Sequence, residues 1–198
     1  MAKQGKIGVS ELEFGKLDED DLVTEETQKL PGTTEIGIEL GIDISTLPAD
    51  DGPYLTVSSG ITTAKQTINN YDLTSEIKQL LFGIEVIGGV EVYEKGLVPN
   101  DTATLFRTRL TGGKYVWIAM LKGKFTLPNV TAKTTGDGNQ EPTPDQIEGS
   151  FVARKAGDKE VVLLIGREDN EDFDFDTFHT MVFPKTADET GIKAKGAA

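Results

Sequence analysis

The chain has 198 residues, with 33 acidic and 20 basic side chains, a net charge of −13 and no cysteine. This length suits one domain with a full core, and the missing cysteines exclude disulfides and thiolate chemistry. The negative charge favours solubility and argues against tight nucleic-acid binding, which depends on Lys and Arg that neutralise phosphates. We expect a single domain over residues 1–185, followed by a flexible tail at 186–198.

The N-terminal segment is polar and resembles neither a signal peptide nor a membrane anchor. No apolar run approaches the roughly 20 residues that cross a bilayer, so we expect no membrane partner. Between residues 6 and 14 the apolar alternation changes phase near Ser10 and Glu11, which predicts a bulge or a turn. Residues 15–31 are polar and acidic, and we expect a loop there with a short helical turn at 24–29.

The clearest strand covers residues 34–45, where apolar and polar side chains alternate without a break. One face is apolar from Ile36 to Ile44 and is expected to be core. The other face carries two glycines and three carboxylates, so it is acidic and nearly flat. These carboxylates are Glu35, Glu39 and Asp43.

Residues 45–59 are rich in Pro, Asp, Gly and Ser, which predicts a loop. The same segment contains more apolar surface than a free loop needs, so it either folds back on the body or contacts a partner. The residues predicted to make such contacts are Leu47, Pro48, Asp50, Asp51, Tyr54, Leu55 and Val57. Residues 61–71 are β-prone with few large apolar side chains and are expected to form a strand that faces water.

One amphipathic helix is predicted at residues 72–83. Asp72 can cap the first turn, Glu76 lies near the positive end of the dipole, and Gly83 can end the helix in the left-handed conformation. A helix among many strands must bury its apolar stripe against a sheet. The stripe consists of Leu73, Ile77, Leu80 and Leu81.

The second half of the chain reads as β-structure. A Gly-Gly turn lies within 86–93, and residues 102–125 form a predicted hairpin. Its second strand is apolar on both faces at 115–121, which indicates that it lies inside a sandwich or under a neighbouring subunit. A turn-rich loop is expected at 134–144, and further strands at 147–155, 160–166 and 173–183.

The residue inventory offers little catalytic chemistry. His179 is the only histidine, we expect it to be structural, and no nucleophile-elbow pattern accompanies it. Metal sites built from His and Cys are excluded by the counts. The acidic residues 169–176 match a calcium loop at Asp174 and Asp176 but fail at the glycine and final glutamate positions, so a solvated turn is the preferred interpretation. We therefore predict no enzyme activity and no cofactor.

Five segments, in this order and spacing, are similar to one protein family. They are GKIGVSELEFGKL at 5–17, ADDGPY at 49–54, LLFG at 80–83, YVWIAMLKGKF at 115–125 and EGSFV at 148–152. Together they resemble the major tail proteins of long, non-contractile-tailed phages of Gram-positive bacteria. The likeness covers most of residues 3–158, and the last forty residues are less similar to the family.

The resemblance implies a mainly β fold, a β-sandwich with one flanking α-helix, whose strands contribute to a ring-spanning β-barrel. It implies hexameric rings that stack into a hollow tail tube, assembled in the host cytoplasm and present in the virion. DNA passes through the lumen without specific binding. The implied partners are other copies of the chain, the tape-measure protein, the tail terminator and the distal tail protein.

Two other classes of function remain open on the residues alone. A monomeric β-sandwich module for binding or decoration would also have many strands and loops, but it has less reason to make 47–57 and 115–121 so apolar. A hydrolase or lyase would need convergent polar groups. For a tube, we expect residues 45–59 to contact subunits of the next ring, and Glu35, Glu39 and Asp43 to line the lumen. The alternative for these carboxylates is solvent outside the tube.

Overall fold

The computed structural model describes residues 4–49, 52–129 and 142–192, and these are mainly β-structure. They contain twelve strands, two α-helices and one 3-10 turn. The strands are β1 Lys6–Lys16, β2 Gln28–Leu30, β3 Thr33–Ala49, β4 Gly52–Asn70, β5 Glu85–Ile87, β6 Val90–Val92, β7 Thr102–Leu110, β8 Tyr115–Phe125, β9 Asp145–Phe151, β10 Arg154–Ala156, β11 Lys159–Val161 and β12 Leu163–Arg167. The helices are α1 Ser75–Phe82 and α2 Phe175–Val182.

Strand β8 is the centre of the main antiparallel sheet. One of its edges pairs with β7, which pairs in turn with β1 and then β2. Its other edge pairs with β12 near the start of the strand and with β9 at Gly123, Lys124 and Phe125. From β9 the sheet continues to β4 and β3. Cα atoms of β1 and β3 come within 8 Å without backbone pairing, because the sheet folds over on itself. The predicted β-sandwich with a flanking helix is confirmed.

The two faces of β8 belong to two different cores. Val116, Ile118 and Met120 join the larger core between the two layers, whereas Trp117 and Leu121 join a smaller core under α2. Both faces are therefore covered by the chain itself. Of the two alternatives for this doubly apolar strand, the structure supports the sandwich interior and does not require a neighbouring subunit.

Helix α1 packs its apolar stripe into the larger core. The stripe predicted from the sequence is buried throughout: Leu73, Ile77, Leu80 and Leu81 are at most 3% exposed. Gly83 has φ 71° and its N–H donates to the Gln79 carbonyl, as expected for a helix end. The predicted cap was wrong: the helix begins at Ser75 with Thr74 as its N-cap, and Asp72 lies in the turn before it, where its N–H donates to the Asn70 side chain.

The phase change in β1 is confirmed as an irregularity in its pairing with β7. The register shifts on either side of Ser10, and Glu11 has φ 52°. An ion pair of 2.6 Å between Glu11 and Arg107 lies at this point. The loop expected over residues 15–31 is partly wrong, because β1 extends to Lys16 and β2 occupies Gln28–Leu30 where a helical turn was expected.

Helix α2 replaces the strand predicted at 173–183. The Asp174 carboxylate accepts a hydrogen bond from the Thr177 N–H at 2.9 Å and so caps the helix. Phe178 and Val182 then fall on its buried face. After the helix, Ala187–Glu189 forms a 3-10 turn in the stretch expected to be a tail, and residues 193–198 lie outside the described residues.

The remaining strand predictions agree with the structure in position, but the strand expected to face water at 61–71 is part of β4 and buries Ala64, Gln66 and Ile68 on one face. Gly88 and Gly89, both with positive φ, form the turn between β5 and β6. Strands β7 and β8 form the hairpin expected over 102–125. Strands β9 to β12 occupy the two C-terminal stretches at 147–155 and 160–166, with short interruptions. Most of the loop expected at 134–144 lies outside the described residues.

We predict that Leu80→Ala or Leu81→Ala lowers the free energy of unfolding by about 2–5 kcal/mol, because each substitution leaves a cavity in the larger core. Urea-induced unfolding measures the loss. Gln79→Ala, at an exposed position of the same helix, is the matched control and should change stability by less than about 0.5 kcal/mol. Equal stabilities of the three variants would contradict the packing described here.

Candidate assembly surface

The most unusual feature of the fold is the long hairpin of β3 and β4. The strands have 17 and 19 residues, and at about 3.3 Å per residue β3 spans roughly 55 Å. The loop predicted at 45–59 is wrong, because Ser45 pairs with Val57 and Leu47 pairs with Leu55 within the ladder. Turn-forming residues mark only the tip, and Asp50 and Asp51 lie outside the described residues.

One face of this hairpin continues the core-facing surface of the sheet beyond the body. Ile36 and Ile38 pack against the larger core, as predicted. Farther along the same face the predicted core position is wrong in a single copy of the chain: Ile42 is 52% exposed and Ile44 67% exposed. Nothing in the described chain covers these side chains. We call Leu40, Ile42, Ile44 and Ile61 the inner hairpin patch.

The opposite face is apolar near the tip. The cross-strand neighbours Leu47 and Leu55 are both about half exposed, and so is Val57 beside them. Tyr54, an extra residue of β4 in this ladder, is 77% exposed, and Pro48 is also exposed. We call Leu47, Tyr54, Leu55 and Val57 the tip patch. Most residues predicted to make contacts are thus brought together on a projecting element.

The three carboxylates of β3 share one exposed face. Between Glu35 and Pro48 the ladder has several register shifts, and in each of them the extra residue belongs to β4. The side chains of β3 therefore alternate without interruption, and Asp43 lies on the same face as Glu35 and Glu39. The Asn69 amide donates to Glu35 at 3.2 Å. Lys65 lies directly opposite Glu39, so the face is less uniformly acidic than the sequence of β3 suggests.

This polar face extends onto β9. Thr67 of β4 lies between Gly37 of β3 and Glu148 of β9, and Gln146 donates to Asn69 at 3.1 Å. The three strands therefore present a continuous polar surface opposite the larger core. Its orientation toward a lumen stays a prediction.

The outer edge of β3 is hydrogen-bonded to no other strand in the described chain, although β1 approaches its proximal part. Its backbone N–H and C=O groups are available to pair with another chain, which natural proteins usually prevent on long edge strands. Charge, proline or a covering loop would block such pairing, but among the described residues the distal part of this edge carries only Asp43 and, at its end, Pro48. The edge and the two patches together make the hairpin the candidate site of assembly.

The described residues contain no group of three or more His, Asp or Glu side chains arranged to hold a metal ion. In the acidic stretch near 169–176, Asp169 forms two hydrogen bonds of 2.7 and 2.8 Å with Arg167, which lower the pKa of this carboxyl group. Asp174 caps α2. These two carboxylates thus have structural partners.

His179 links α2 to β1. Its Nε2 lies 3.2 Å from Oε1 of Glu13, and its ring packs against Phe175 and Phe183. Burial raises the pKa of Glu13, but hydrogen bonds with His179 and Thr27, together with nearby positive charge, lower it below its usual value. The lone histidine thus has the structural contacts that were expected of it, although on a helix.

A second buried polar contact of α2 was not predicted. Arg154 is almost fully buried and donates to the carbonyls of Leu121, Met181 and Val182. Burial lowers its pKa to about 10. The side chain satisfies carbonyls at the end of α2 and ties them to β8. A single arginine at the start of a short strand gives no pattern from which this role could be predicted.

Comparison with known proteins does not assign the chain to a family. No protein-family model matches the chain, and no curated protein sequence matches it significantly. None of the helices in the described residues has the length and apolar character required to cross a membrane.

We predict that Glu13→Gln lowers stability more at about pH 5.5 than at about pH 3. The folded-state pKa of Glu13 is depressed, so the carboxylate contributes fully above the unfolded pKa of about 4.3. That contribution is lost as pH falls through the folded pKa. Urea titrations at both pH values measure the difference, with the exposed Glu160→Gln as control. A destabilisation that does not change with pH would contradict the proposed contact.

Proposed function

We propose that this protein is the structural subunit of a phage tail tube, which self-assembles into stacked hexameric rings. The observation that carries the proposal is the distal half of the β3–β4 hairpin, which exposes apolar patches on both faces. Contiguous exposed apolar surface on a soluble chain usually marks an interaction site. The number of subunits in each ring, six, and the stacking of rings into a tube are inferred from the sequence resemblance to major tail proteins.

The location of the patches favours assembly with other copies of the chain. The hairpin projects from the body, and its apolar side chains lie at one end of the molecule. A contact between this end and a different surface of a second copy is heterologous, and repeated heterologous contacts produce closed rings or open filaments. Pairing at the free edge of β3 would join the sheets of neighbouring subunits, as a ring-spanning barrel requires.

The polar face of β3, β4 and β9 is assigned to the lumen in this proposal. Carboxylates repeated around a ring repel phosphates, and a confined channel focuses the field, so DNA passes without being bound. Lys65 reduces this repulsion locally.

The proposed partners are the tape-measure protein, the tail terminator and the distal tail protein, and the proposed location is the virion after assembly in the host cytoplasm. No catalytic role or cofactor is part of the proposal.

We predict that the purified chain forms tubes or rings visible by negative-stain electron microscopy, and that an Ile42→Asp, Ile44→Asp double variant does not. Charges on the inner hairpin patch would have to be buried in the assembly, whereas they meet water in the monomer. Circular dichroism should show a folded variant. Ile192→Asp, at another exposed apolar position, is the control and should assemble.

A shortened hairpin tests the tip separately. Replacing residues 46–56 by Asn-Gly connects the paired residues Ser45 and Val57 through a two-residue turn. We expect a folded monomer that no longer polymerises. Long tubes formed by this variant would contradict a role of the tip in assembly. A wild-type chain that stays monomeric at high concentration would instead favour a binding or decoration module.

We predict that Glu35→Lys with Glu39→Lys yields tubes that retain double-stranded DNA at low salt. The substitutions change the sign of the proposed lumen wall, and the attraction should weaken as salt rises because phosphate contacts are screened. Asp158→Lys with Glu160→Lys gives the same change in net charge elsewhere on the surface. DNA retention equal in both variants, or density showing Glu35 on the outside of the tube, would refute the lumen assignment.

A further inference from the structure

The body of the protein has a groove where the edges of β1 and β3 approach each other. Its volume is about 250 Å³, below the roughly 300–1,000 Å³ of typical small-molecule pockets. Val9 and Ile38 form parts of its walls, and Phe106 and Ile118 form part of its floor. The full lining is Lys6, Gly8, Val9, Ile36, Ile38, Phe106, Thr108 and Ile118. The lining is mixed in polarity, and a concave site of this size with five large apolar side chains has room for a few aliphatic side chains.

The inner hairpin patch supplies such side chains but cannot reach the groove of its own chain. Ile38 lines the groove, and Ile44 lies six residues farther along the same strand. At about 3.3 Å per residue, the two are roughly 20 Å apart while β3 remains paired with β4. Only the hairpin of a second copy can therefore place Ile42 and Ile44 in the groove.

The two segments also differ in the sign of their charge. Residues 40–64 contain three aspartates and no Lys or Arg, but Asp43 lies on the face opposite Ile42 and Ile44, and Asp50 and Asp51 lie outside the described residues, so any attraction acts at long range. Among the described residues that line the groove, Lys6 is the only charged one, and it is exposed at the rim. The β5–β6 hairpin offers another exposed apolar surface at Ile87 and Val90, but Glu85 there would repel an acidic segment; Glu91 is already paired with Lys78 at 3.0 Å.

We propose that the groove between β1 and β3 receives the inner hairpin patch of a second copy of this chain. The proposal rests on the proposed tube function and names the receiving surface for its projecting element. Docking would bury Ile42 and Ile44 against Val9 and Ile38 and bring Lys6 near a hairpin segment whose only charges are negative. The same contact, repeated from copy to copy, is head-to-tail.

Crosslinking tests the contact directly, because the natural chain has no cysteine. Chains with Ile44→Cys are mixed with chains carrying Val9→Cys, assembled, and treated with a short bismaleimide. We expect a covalent dimer whose linked peptides, identified by mass spectrometry, join positions 44 and 9. Chains with Val90→Cys replace the Val9→Cys partner in the matched control, and we expect at least tenfold less product.

The outcomes separate this inference from the proposed function. Tubes or rings in which position 44 links to 90, or does not link to 9, would overturn the groove as receptor while leaving the tube function in place. A chain that remains monomeric at all concentrations would overturn both.

Two variants of the groove give an independent measurement. Val9→Trp fills the groove without changing charge, and Lys6→Glu reverses the charge at an exposed rim position outside the core. Val9→Trp should raise the critical concentration for assembly at least tenfold and Lys6→Glu should raise it at low salt, whereas Val90→Trp should leave it unchanged. Wild-type assembly by Lys6→Glu at low salt, together with wild-type assembly by a folded Val9→Trp, would refute the proposal.

Discussion

Burial of both faces of β8 is the constraint on which the rest of the structure depends. Because Trp117 and Ile118 point to opposite sides, the chain must provide two separate covers, and it does so with the β4–β9 layer and α1 on one side and α2 on the other. Arg154 then secures the end of α2 against β8 through its carbonyl contacts. The edge of β8 is shared by β12 and β9, and this division allows the sheet to turn into a second layer.

The same division determines what is left uncovered. The second layer is β9, β4 and β3, and only the proximal part of β3 faces the larger core. The distal part has the same alternation but no layer opposite it among the described residues. Full burial of a large aliphatic side chain contributes about 1.5–3 kcal/mol, so a few such residues per contact can offset part of the cost of association. The same alternation of apolar residues along β3 therefore fills the core of the body at one end and leaves exposed apolar side chains at the other.

The sequence predicts elements well where a local pattern decides the conformation. The alternation of β3, the stripe of α1 and the turn between β7 and β8 all agree with the structure. The pattern cannot say whether an apolar face is covered by its own chain, and for that reason Ile42 and Ile44 were expected to be core. Turn-forming residues near Pro48 favour a loop, whereas Thr56 and Val57 are typical of strands, and strand pairing prevails up to the tip.

Helix α2 shows a different kind of error. The alternation of Phe173, Asp174, Phe175 and Asp176 favours a strand, yet Asp174 and Thr177 together form a helix cap. The spacing of Phe175, Phe178 and Val182 is helical and was the available signal. The groove, in contrast, had no signal in the sequence, because residues from four strands line it and only the fold brings them together.

The regular alternation of β3 opposite an irregular β4 limits how this hairpin can change in length. The extra residues of the distal ladder lie on β4, and Gly60, with φ 77°, lies in one of these irregularities. A residue gained or lost there alters only the local twist. A single residue lost from the middle of β3 would exchange its apolar and acidic faces from that point to the tip. Related chains should therefore vary in length along β4 while keeping the residue count of β3.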